Sequence, residues 1–332
     1  MKTRKIATFD VSAIGLGCMN LSHAYGVPPS AEQGERVLLA ALDAGVTLFD
    51  TAALYGFGKN ETLVGQVLKS HRHEITLCSK GGMAGVQFAD GMKRVIDGSA
   101  EAIRRNCEDS LRRLQTDVID LYYLHRWHKD VPIEDSVGAM SDLVRAGKVR
   151  AIGLSEVSAV TLRKAHAVYP IAAVQSEYSL WTRNAEIAVL QACAEIGAAY
   201  VAFSPVARGF LCGEPLDVEG MVATDLRRSM PRFLGEAYAA NLKVQAAFNA
   251  IARDAGCSPA QLALAWLLHK ASHIIPIPGT ASVEHLCEDI AADAVQLSPH
   301  WMARLDEAVN QRTIVGQRYP AQASGEVDTE TF

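Results

Sequence analysis

The residues that first suggest chemistry are Asp50, Tyr55, Lys80 and His125. A tyrosine is a poor acid at neutral pH, but a nearby ammonium favours its phenolate, and a carboxylate can hold that ammonium in place. A histidine beside the phenol can orient a carbonyl oxygen or relay a proton, because its pKa lies near neutral pH. Taken singly, each residue has an ordinary structural explanation, such as a turn-forming acid or a packing tyrosine. Together they would protonate an oxygen while another group delivers hydride to carbon.

The elements that must position these side chains are short apolar strands. Asp50 and Lys80 each end a predicted strand, and His125 follows another directly. Eight strands counted from Ile14 alternate with helical patterns, which predicts an α/β protein with a (β/α)8 TIM barrel rather than a six-stranded doubly wound sheet. Such barrels keep their chemistry at the C-terminal strand ends. The predicted strands are 14–18, 46–50, 74–80, 118–124, 149–154, 171–175, 199–204 and 274–277.

The length of 332 residues is compatible with one barrel domain. We expect the barrel to occupy about 14–294, with a short N-terminal hairpin over 6–13 and a C-terminal helix and tail over 298–332. The tail is expected either to lie over the barrel or to be loose. Three connections are longer than a barrel needs, which favours a role in covering a ligand. These long loops are 81–98, 125–132 and 205–235.

Two glycines interrupt the first predicted barrel strand, Gly15 and Gly17. They allow a close backbone approach by either a neighbouring strand or a ligand. The pair lacks the remainder of the dinucleotide-binding fingerprint of doubly wound folds, so it is weak evidence for a nucleotide.

Composition narrows the class of protein. Hydrophobic residues make up 49% of the chain, and 32 basic against 37 acidic residues leave a formal charge of −5, which gives no reason to expect nucleic acid or an anionic membrane as partner. The seven cysteines form no CxxC pair, which favours reduced thiols in a cytoplasmic protein over a disulfide framework or a zinc site. The sequence shows neither a signal peptide nor a membrane span, so we expect a soluble, unprocessed chain.

A series of short motifs carries a resemblance to a known family. In chain order, they are Phe49-Asp50-Thr51-Ala52 with Tyr55-Gly56, Ser79-Lys80, Leu124-His125, Gly153-Leu154-Ser155, Val174-Gln175-Ser176-Glu177-Tyr178, Phe203-Ser204-Pro205 and Ile277-Pro278-Gly279-Thr280. This pattern resembles the aldo-keto reductase superfamily from about Ile14 to about Ala291. The resemblance implies reversible NAD(P)H-dependent reduction of aldehydes and ketones, with Tyr55 as proton donor and Asp50, Lys80 and His125 as its partners.

The resemblance also implies a cofactor site across the C-terminal mouth of the barrel. Ser155, Glu156 and Gln175 would contact the nicotinamide carboxamide, and the ring of Phe203 would stack on the nicotinamide. Glu156 stands where the family usually has an asparagine or a similar amide. The remaining contacts implied are Ser204, Pro205 and Arg208 for the pyrophosphate, Gly279, Thr280 and His285 for the adenosine phosphate, and Glu288 and Asp289 for the adenine.

The choice between the two nicotinamide cofactors depends on few residues. Relatives that use NADP commonly have basic residues where this chain has Ala281 and His285. Thr280, Ser282 and a partly protonated His285 could hold a 2′-phosphate instead. The expected cofactor is therefore NADPH by family habit, with NADH as the alternative.

The substrate pocket is expected to be walled by apolar and aromatic side chains near the barrel mouth. The sequence shows no Arg or Lys dedicated to a charged substrate, which favours a small neutral carbonyl compound as partner. An alternative function is that of a redox-sensing regulatory subunit, like the potassium-channel β-subunits of the superfamily; the oligomeric state stays open. The candidate wall residues are Met19, His23, Tyr25, Leu54, Phe57, Phe88, Trp127 and Trp181.

Overall fold

Within residues 1–22 and 24–332, which the computed structural model describes, the chain forms twelve β-strands and eleven α-helices. The strands are β1 (Thr3–Ile6), β2 (Phe9–Ser12), β3 (Leu16–Gly17), β4 (Leu48–Asp50), β5 (Thr76–Gly81), β6 (Met83–Phe88), β7 (Gly91–Ile96), β8 (Ile119–Leu124), β9 (Val149–Ser155), β10 (Ile171–Glu177), β11 (Ala199–Phe203) and β12 (Ile274–Pro276). The helices are α1 (Ala31–Asp43), α2 (Lys59–Leu68), α3 (Ala100–Leu114), α4 (Ile133–Arg145), α5 (Ala159–Val168), α6 (Val189–Ile196), α7 (Gly235–Ala255), α8 (Pro259–Lys270), α9 (Val283–Ala291), α10 (Pro299–Ala308) and α11 (Ala321–Gly325).

The helix α3 shows why the surrounding helices form. The Ser99 hydroxyl accepts a hydrogen bond from the Ala102 amide and so caps the first turn. Ile103, Cys107 and Leu114 then recur at three- or four-residue multiples and are buried on one face. This apolar face covers the sheet, while charged residues occupy the other face.

Eight parallel strands form the predicted barrel, in the order β12-β11-β10-β9-β8-β5-β4-β3. The ring closes through backbone hydrogen bonds from Gly15 to Pro276, at 3.0 Å, and from Gly17 to Pro278, at 2.9 Å. A Cβ atom on Gly17 would lie 2.8 Å from the Ile277 carbonyl oxygen. The glycines of the first strand therefore allow the close approach of a neighbouring strand, and Gly17 also lines the cavity at the barrel mouth.

The N-terminal hairpin of β1 and β2 is present as predicted. Its Ile6 and Val11 are buried in the apolar cluster inside the barrel, with Leu48, Leu121 and Val201. The hairpin therefore plugs the barrel at the end opposite to the strand C-termini. None of the helices in the described chain is both long and apolar enough to cross a membrane.

Two of the predicted loops are more ordered than the sequence suggested. The stretch 81–98 is predicted as a long loop, but it contains the antiparallel pair β6 and β7. Their turn ends at Asp90-Gly91, with Gly91 at a φ of 120°, so an aspartate-glycine turn signal was present in the sequence. The stretch 205–235 contains the 3-10 turns Ala207–Cys212, Leu226–Ser229 and Pro231–Phe233.

The C-terminal tail lies over the barrel mouth, the first of the two arrangements considered above. Arg94 of β7 forms a two-point ion pair with Glu326, with nitrogen-to-oxygen distances of 2.6 and 2.5 Å. The Asp328 amide donates to the Glu156 carbonyl at 2.9 Å. The tail therefore forms part of the wall of a cavity at the barrel mouth, through Tyr319, Ala323 and Glu326.

Candidate active site

The structure brings Asp50, Tyr55 and Lys80 into direct contact beneath the barrel mouth. Asp50 ends β4, Lys80 lies near the end of β5, and Tyr55 begins the 3-10 turn Tyr55–Gly58. The Lys80 ammonium donates to the Tyr55 phenolic oxygen at 3.3 Å, to the Thr51 carbonyl at 2.9 Å and to an Asp50 carboxylate oxygen. The Gln175 amide donates to the other Asp50 oxygen at 2.8 Å. Both charges are therefore held within one buried hydrogen-bond network.

Burial and charge act in opposite directions on this cluster. Burial raises the pKa of Tyr55 above its ordinary value, and the Lys80 ammonium only partly offsets that increase. Burial disfavours the charged form of Lys80, but the Asp50 carboxylate and the Tyr55 oxygen together outweigh it, and the pKa of Lys80 is raised. Tyr55 is consequently a neutral phenol beside a permanent ammonium. This is the state required to donate a proton and then stabilise the resulting phenolate.

His125 completes the cluster from the end of β8. Its ring lies edge-on to the Tyr55 ring, with 5.7 Å between centroids and 83° between planes. Both side chains and Asp50 line a cavity of about 820 Å³ at the C-terminal ends of the barrel strands. Lys80 lies behind Tyr55, outside the cavity wall. Among the described residues, no group of three His, Cys, Asp or Glu side chains is placed to hold a metal ion.

The same cavity gathers most of the residues that the sequence assigned to a cofactor. One end is lined by Ser155, Gln175 and Phe203, whose ring is half-buried. The backbone that follows has positive φ at Ser204 (49°), Ala207 (53°) and Arg208 (60°). Non-glycine residues seldom adopt this conformation, and it is concentrated at ligand sites. The other predicted cofactor residues that line the cavity are Pro205, Gly279, Thr280, His285, Glu288 and Asp289.

Two buried carboxylates near the predicted cofactor residues, Glu156 and Glu177, form ion pairs with arginines. Glu156 lies outside the cavity wall, where it forms an ion pair with Arg318 of the C-terminal tail. Glu177 accepts from Arg318 at 3.0 Å and from Arg208 at 2.6 Å. Arg208 lines the cavity but is tied to Glu177, and its second nitrogen donates to the Tyr25 hydroxyl at 3.2 Å. The acid at position 156 therefore anchors the C-terminal tail.

We expect this network to make the stability of the protein sensitive to acid. Burial alone would raise the pKa of Glu177, but Arg208, Arg318 and Arg232 outweigh it and lower that pKa from 4.5 to about 2. A depressed carboxyl pKa contributes stability above 4.5 that is lost as pH falls towards 2. We expect Glu177→Gln to lose about 3 kcal/mol of unfolding free energy at neutral pH and to flatten the acid limb of the profile. Urea unfolding across this pH range measures both effects.

A surface substitution provides the control for that prediction. Glu35 is exposed on α1, so Glu35→Gln should follow the wild-type profile in both height and slope. Equal slopes for wild type and Glu177→Gln between pH 4.5 and about 2 would show that another group causes the acid lability.

Only some of the residues predicted to form the substrate pocket line the cavity. Met19, Tyr25 and Leu54 line the cavity. Phe57 and Phe88 have 45% and 44% of their surface exposed and lie outside the wall. Trp181 is buried against Phe210 with a centroid distance of 4.5 Å, and the Trp127 indole donates to the Val131 carbonyl at 2.8 Å, so both pack away from the cavity. His23 lies outside the described residues.

Several cavity residues were not singled out from the sequence. Arg126 follows His125 directly, and its position beside a candidate catalytic residue at a strand end was a signal that could have found it. The contributions of Arg94 and Glu326 had no local signal, because they depend on how the hairpin and the tail fold back. The other cavity residues missed include Asn20, Arg227 and Tyr319.

Comparison with known proteins identifies the family to which the chain is similar. The sequence model of the Aldo/keto reductase family matches residues 13–310. The chain is 43% identical over 312 residues to "Probable aldo-keto reductase 1" from Glycine max, covering 94% of this chain and 89% of that protein. Among solved structures, it is similar to the glycerol dehydrogenase AKR11B4 from Gluconobacter oxydans, with a TM-score of 0.84, 27% identity and coverage of 92% of this chain and 94% of that one.

A second solved structure is also similar to this chain in fold. The aldo-keto reductase AKR11C1 from Bacillus halodurans, in its holo form, has a TM-score of 0.75 and 27% identity, and the match covers 96% of this chain and 100% of that chain. All three relatives are named as reductases or dehydrogenases, and none is named as a channel subunit.

Proposed function

Since the chain belongs to the Aldo/keto reductase family, whose members are oxidoreductases acting on carbonyl compounds, we propose that it reduces aldehydes and ketones to alcohols with protonation by Tyr55. The observation that carries this proposal is the buried contact of the Tyr55 phenol with Lys80, at 3.3 Å, in the wall of a cavity large enough for a small molecule. The same residues would serve alcohol oxidation in the reverse direction.

Each member of the cluster has a separate task in this mechanism. Tyr55 donates its proton to the carbonyl oxygen as negative charge develops there. Lys80 stabilises the phenolate left behind, and Asp50 keeps Lys80 charged and in place. His125, whose ring lies beside that of Tyr55, orients the carbonyl oxygen towards the phenol. When bound, a nicotinamide cofactor supplies the hydride that the carbonyl carbon accepts.

The cavity wall is chemically suited to a nicotinamide dinucleotide. Ser155 and Gln175 provide hydroxyl and amide groups for the carboxamide, and Phe203 provides an aromatic face for the ring. The backbone from Ser204 to Arg208 has positive φ angles, which favours an anion-binding turn for the pyrophosphate. Pro205 has no amide N–H and the Ala207 amide donates to the Ser204 carbonyl, so the remaining amides of this stretch would serve the phosphates. The amino end of α9, where the Ser282 hydroxyl accepts from the His285 amide, favours a phosphate group.

We propose NADPH as the cofactor, with Thr280, Ser282 and His285 near its 2′-phosphate. Neither Ala281 nor the exposed His285 supplies a permanent positive charge, so we expect a preference over NADH within about tenfold. Ala281→Arg should tighten NADPH by about tenfold more than NADH, because an arginine fork matches phosphate oxygens. Fluorescence titration of both cofactors measures the two Kd values.

The control for this substitution adds the same charge at the other end of the barrel. Ala194 is exposed on α6, beside the N-terminal strand residues, so Ala194→Arg should leave the ratio of the two Kd values unchanged. If Ala281→Arg changes both Kd values equally, position 281 does not face the 2′-phosphate.

The proposed activity is tested by following the loss of reduced cofactor with a panel of aldehydes and ketones. NADPH and NADH are run in parallel against each substrate. Consumption by wild type is the expected result. Cofactor binding without consumption of any substrate in a broad panel would contradict the reductase proposal.

A further inference from the structure

Four arginines line the cavity, and three of them are neutralised by carboxylates. Arg94 pairs with Glu326, Arg208 with Glu177 at 2.6 Å, and Arg227 with Asp225 at 2.8 Å. The fourth is Arg126, which forms no ion pair with any residue in 1–22 or 24–332. Arg126 is half-buried, and it is the one arginine of the cavity wall whose charge no carboxylate of the described residues neutralises.

The hydrogen bonds of Arg126 fix the orientation of its guanidinium. One terminal nitrogen, Nη1, donates to the His125 carbonyl at 2.7 Å and to the Ser155 hydroxyl at 3.3 Å. The Nε and Nη2 groups donate to no residue that the structure describes. Those two groups form one edge of the guanidinium with parallel N–H bonds, which is the edge that matches the two oxygens of a carboxylate.

Arg126 is also close to the proposed chemistry. It directly follows His125 in the chain, and its charge is near enough to Tyr55 to lower the pKa of the phenol, against the larger effect of burial. The apolar side chains that line the cavity near Tyr55 are Met19, Leu54 and Met83. An apolar wall with one oriented cation fits a substrate that has an apolar body and a single negative charge.

We propose, building on the proposed reductase activity, that Arg126 is a specificity-determining residue that selects carbonyl substrates bearing a carboxylate. This replaces the expectation from sequence of a neutral substrate, which rested on finding no arginine dedicated to charge. The carboxylate lies against the Nε and Nη2 edge, and the carbonyl oxygen faces Tyr55 and His125. Electrostatic attraction of this kind discriminates against the uncharged analogue because it leaves the cation unsatisfied.

The test compares para-carboxybenzaldehyde with its methyl ester, which have similar shapes but differ in charge. We expect wild type to favour the acid, and Arg126→Gln to lower the ratio of kcat/KM for the acid over the ester by about 10²-fold. Arg126→Lys should recover part of the ratio, because it restores the charge without the fork. Arg163→Gln, which removes a surface arginine paired with Glu195, should keep the wild-type ratio within about threefold.

A binding measurement separates this inference from the reductase proposal. Calorimetric titration of benzoate into the same proteins with oxidised cofactor present requires no turnover. Weaker benzoate binding by Arg126→Gln supports the carboxylate site even if no aldehyde is reduced, in which case the reductase proposal alone fails. An unchanged kcat/KM ratio together with unchanged benzoate binding overturns the assignment of Arg126. A loss confined to cofactor Kd also overturns it, and would assign Arg126 to the carboxamide that Ser155 is proposed to contact.

Discussion

Tyr55→Phe should lower kcat for carbonyl reduction by about 10²-fold or more, while the cofactor Kd changes by less than about threefold. The substitution removes the only atom of Tyr55 that could donate a proton, and it leaves the ring in contact with His125 and Lys80. Because burial keeps the phenol neutral, the loss should persist through neutral pH. Steady-state kinetics and cofactor titration on the same preparation measure the two effects.

The matched control is Tyr122→Phe. Tyr122 is fully buried in β8, and its hydroxyl makes no hydrogen bond with a described residue, so its removal should leave kcat close to that of wild type. If Tyr55→Phe also retains kcat, the proton comes from another group, and the proposed mechanism is wrong even though the fold and family stand.

Lys80→Met should destabilise the protein by about 3–5 kcal/mol and abolish measurable turnover. The variant leaves the Asp50 carboxylate buried without its cationic partner, retaining the hydrogen bond from Gln175. It also removes the charge that stabilises the Tyr55 phenolate. Denaturant unfolding measures the first effect, and reductase kinetics under folding conditions measure the second.

A double variant of Asp50 and Lys80 separates the effect on unfolding free energy from the effect on turnover. Asp50→Asn combined with Lys80→Met leaves no buried unpaired charge, so most of the lost unfolding free energy should return. Turnover should stay absent, because Tyr55 still lacks the ammonium. Recovery of turnover in the double variant would show that Lys80 acts only by supporting the fold.

The tail gives the site a dependence on distant parts of the chain. Arg318 reaches two buried carboxylates, Glu156 and Glu177, and Glu177 in turn holds Arg208 in the cavity wall. Lys129 donates to the Gly325 and Val327 carbonyls at 3.0 and 2.9 Å, which adds a further attachment. The mouth of the cavity is thus assembled from the hairpin β6-β7, the loop after β8 and the chain terminus.

The barrel and the candidate catalytic cluster could be predicted because both follow from local patterns. Repeated strand and helix periods define the eight-stranded ring, and parallel strands bring their C-terminal ends to one rim. Polar residues at strand ends are thereby brought near one another, as Asp50, Lys80 and His125 are. The motif-based cofactor residues met in the cavity for the same reason, since most of them also end strands or begin helices.

The aromatic wall could not be predicted in this way, because a loop residue has no fixed direction. Four aromatic residues were predicted to line the cavity because they lie close in sequence to the barrel mouth. Two of them, Phe57 and Phe88, are exposed to solvent. The other two, Trp127 and Trp181, pack against other parts of the protein. Arg126 was passed over for the opposite reason. Whether Arg126 forms an ion pair depends on which carboxylates lie near it in the folded structure, and this cannot be predicted from the sequence.

By itself, the sequence determined that eight strands alternate with helices and that Asp50, Lys80 and His125 stand at strand ends. These features depend on residue periodicity and on contacts within or between neighbouring elements. Only the tertiary structure decided which charges are neutralised: Glu156 by Arg318, across 162 residues, and Arg94 by Glu326, across 232. Ion pairing depends on the distances between side chains after folding. Residues far apart in sequence therefore form the wall of one cavity. Within the described chain, the charge of Arg126 in that wall is not paired with a carboxylate.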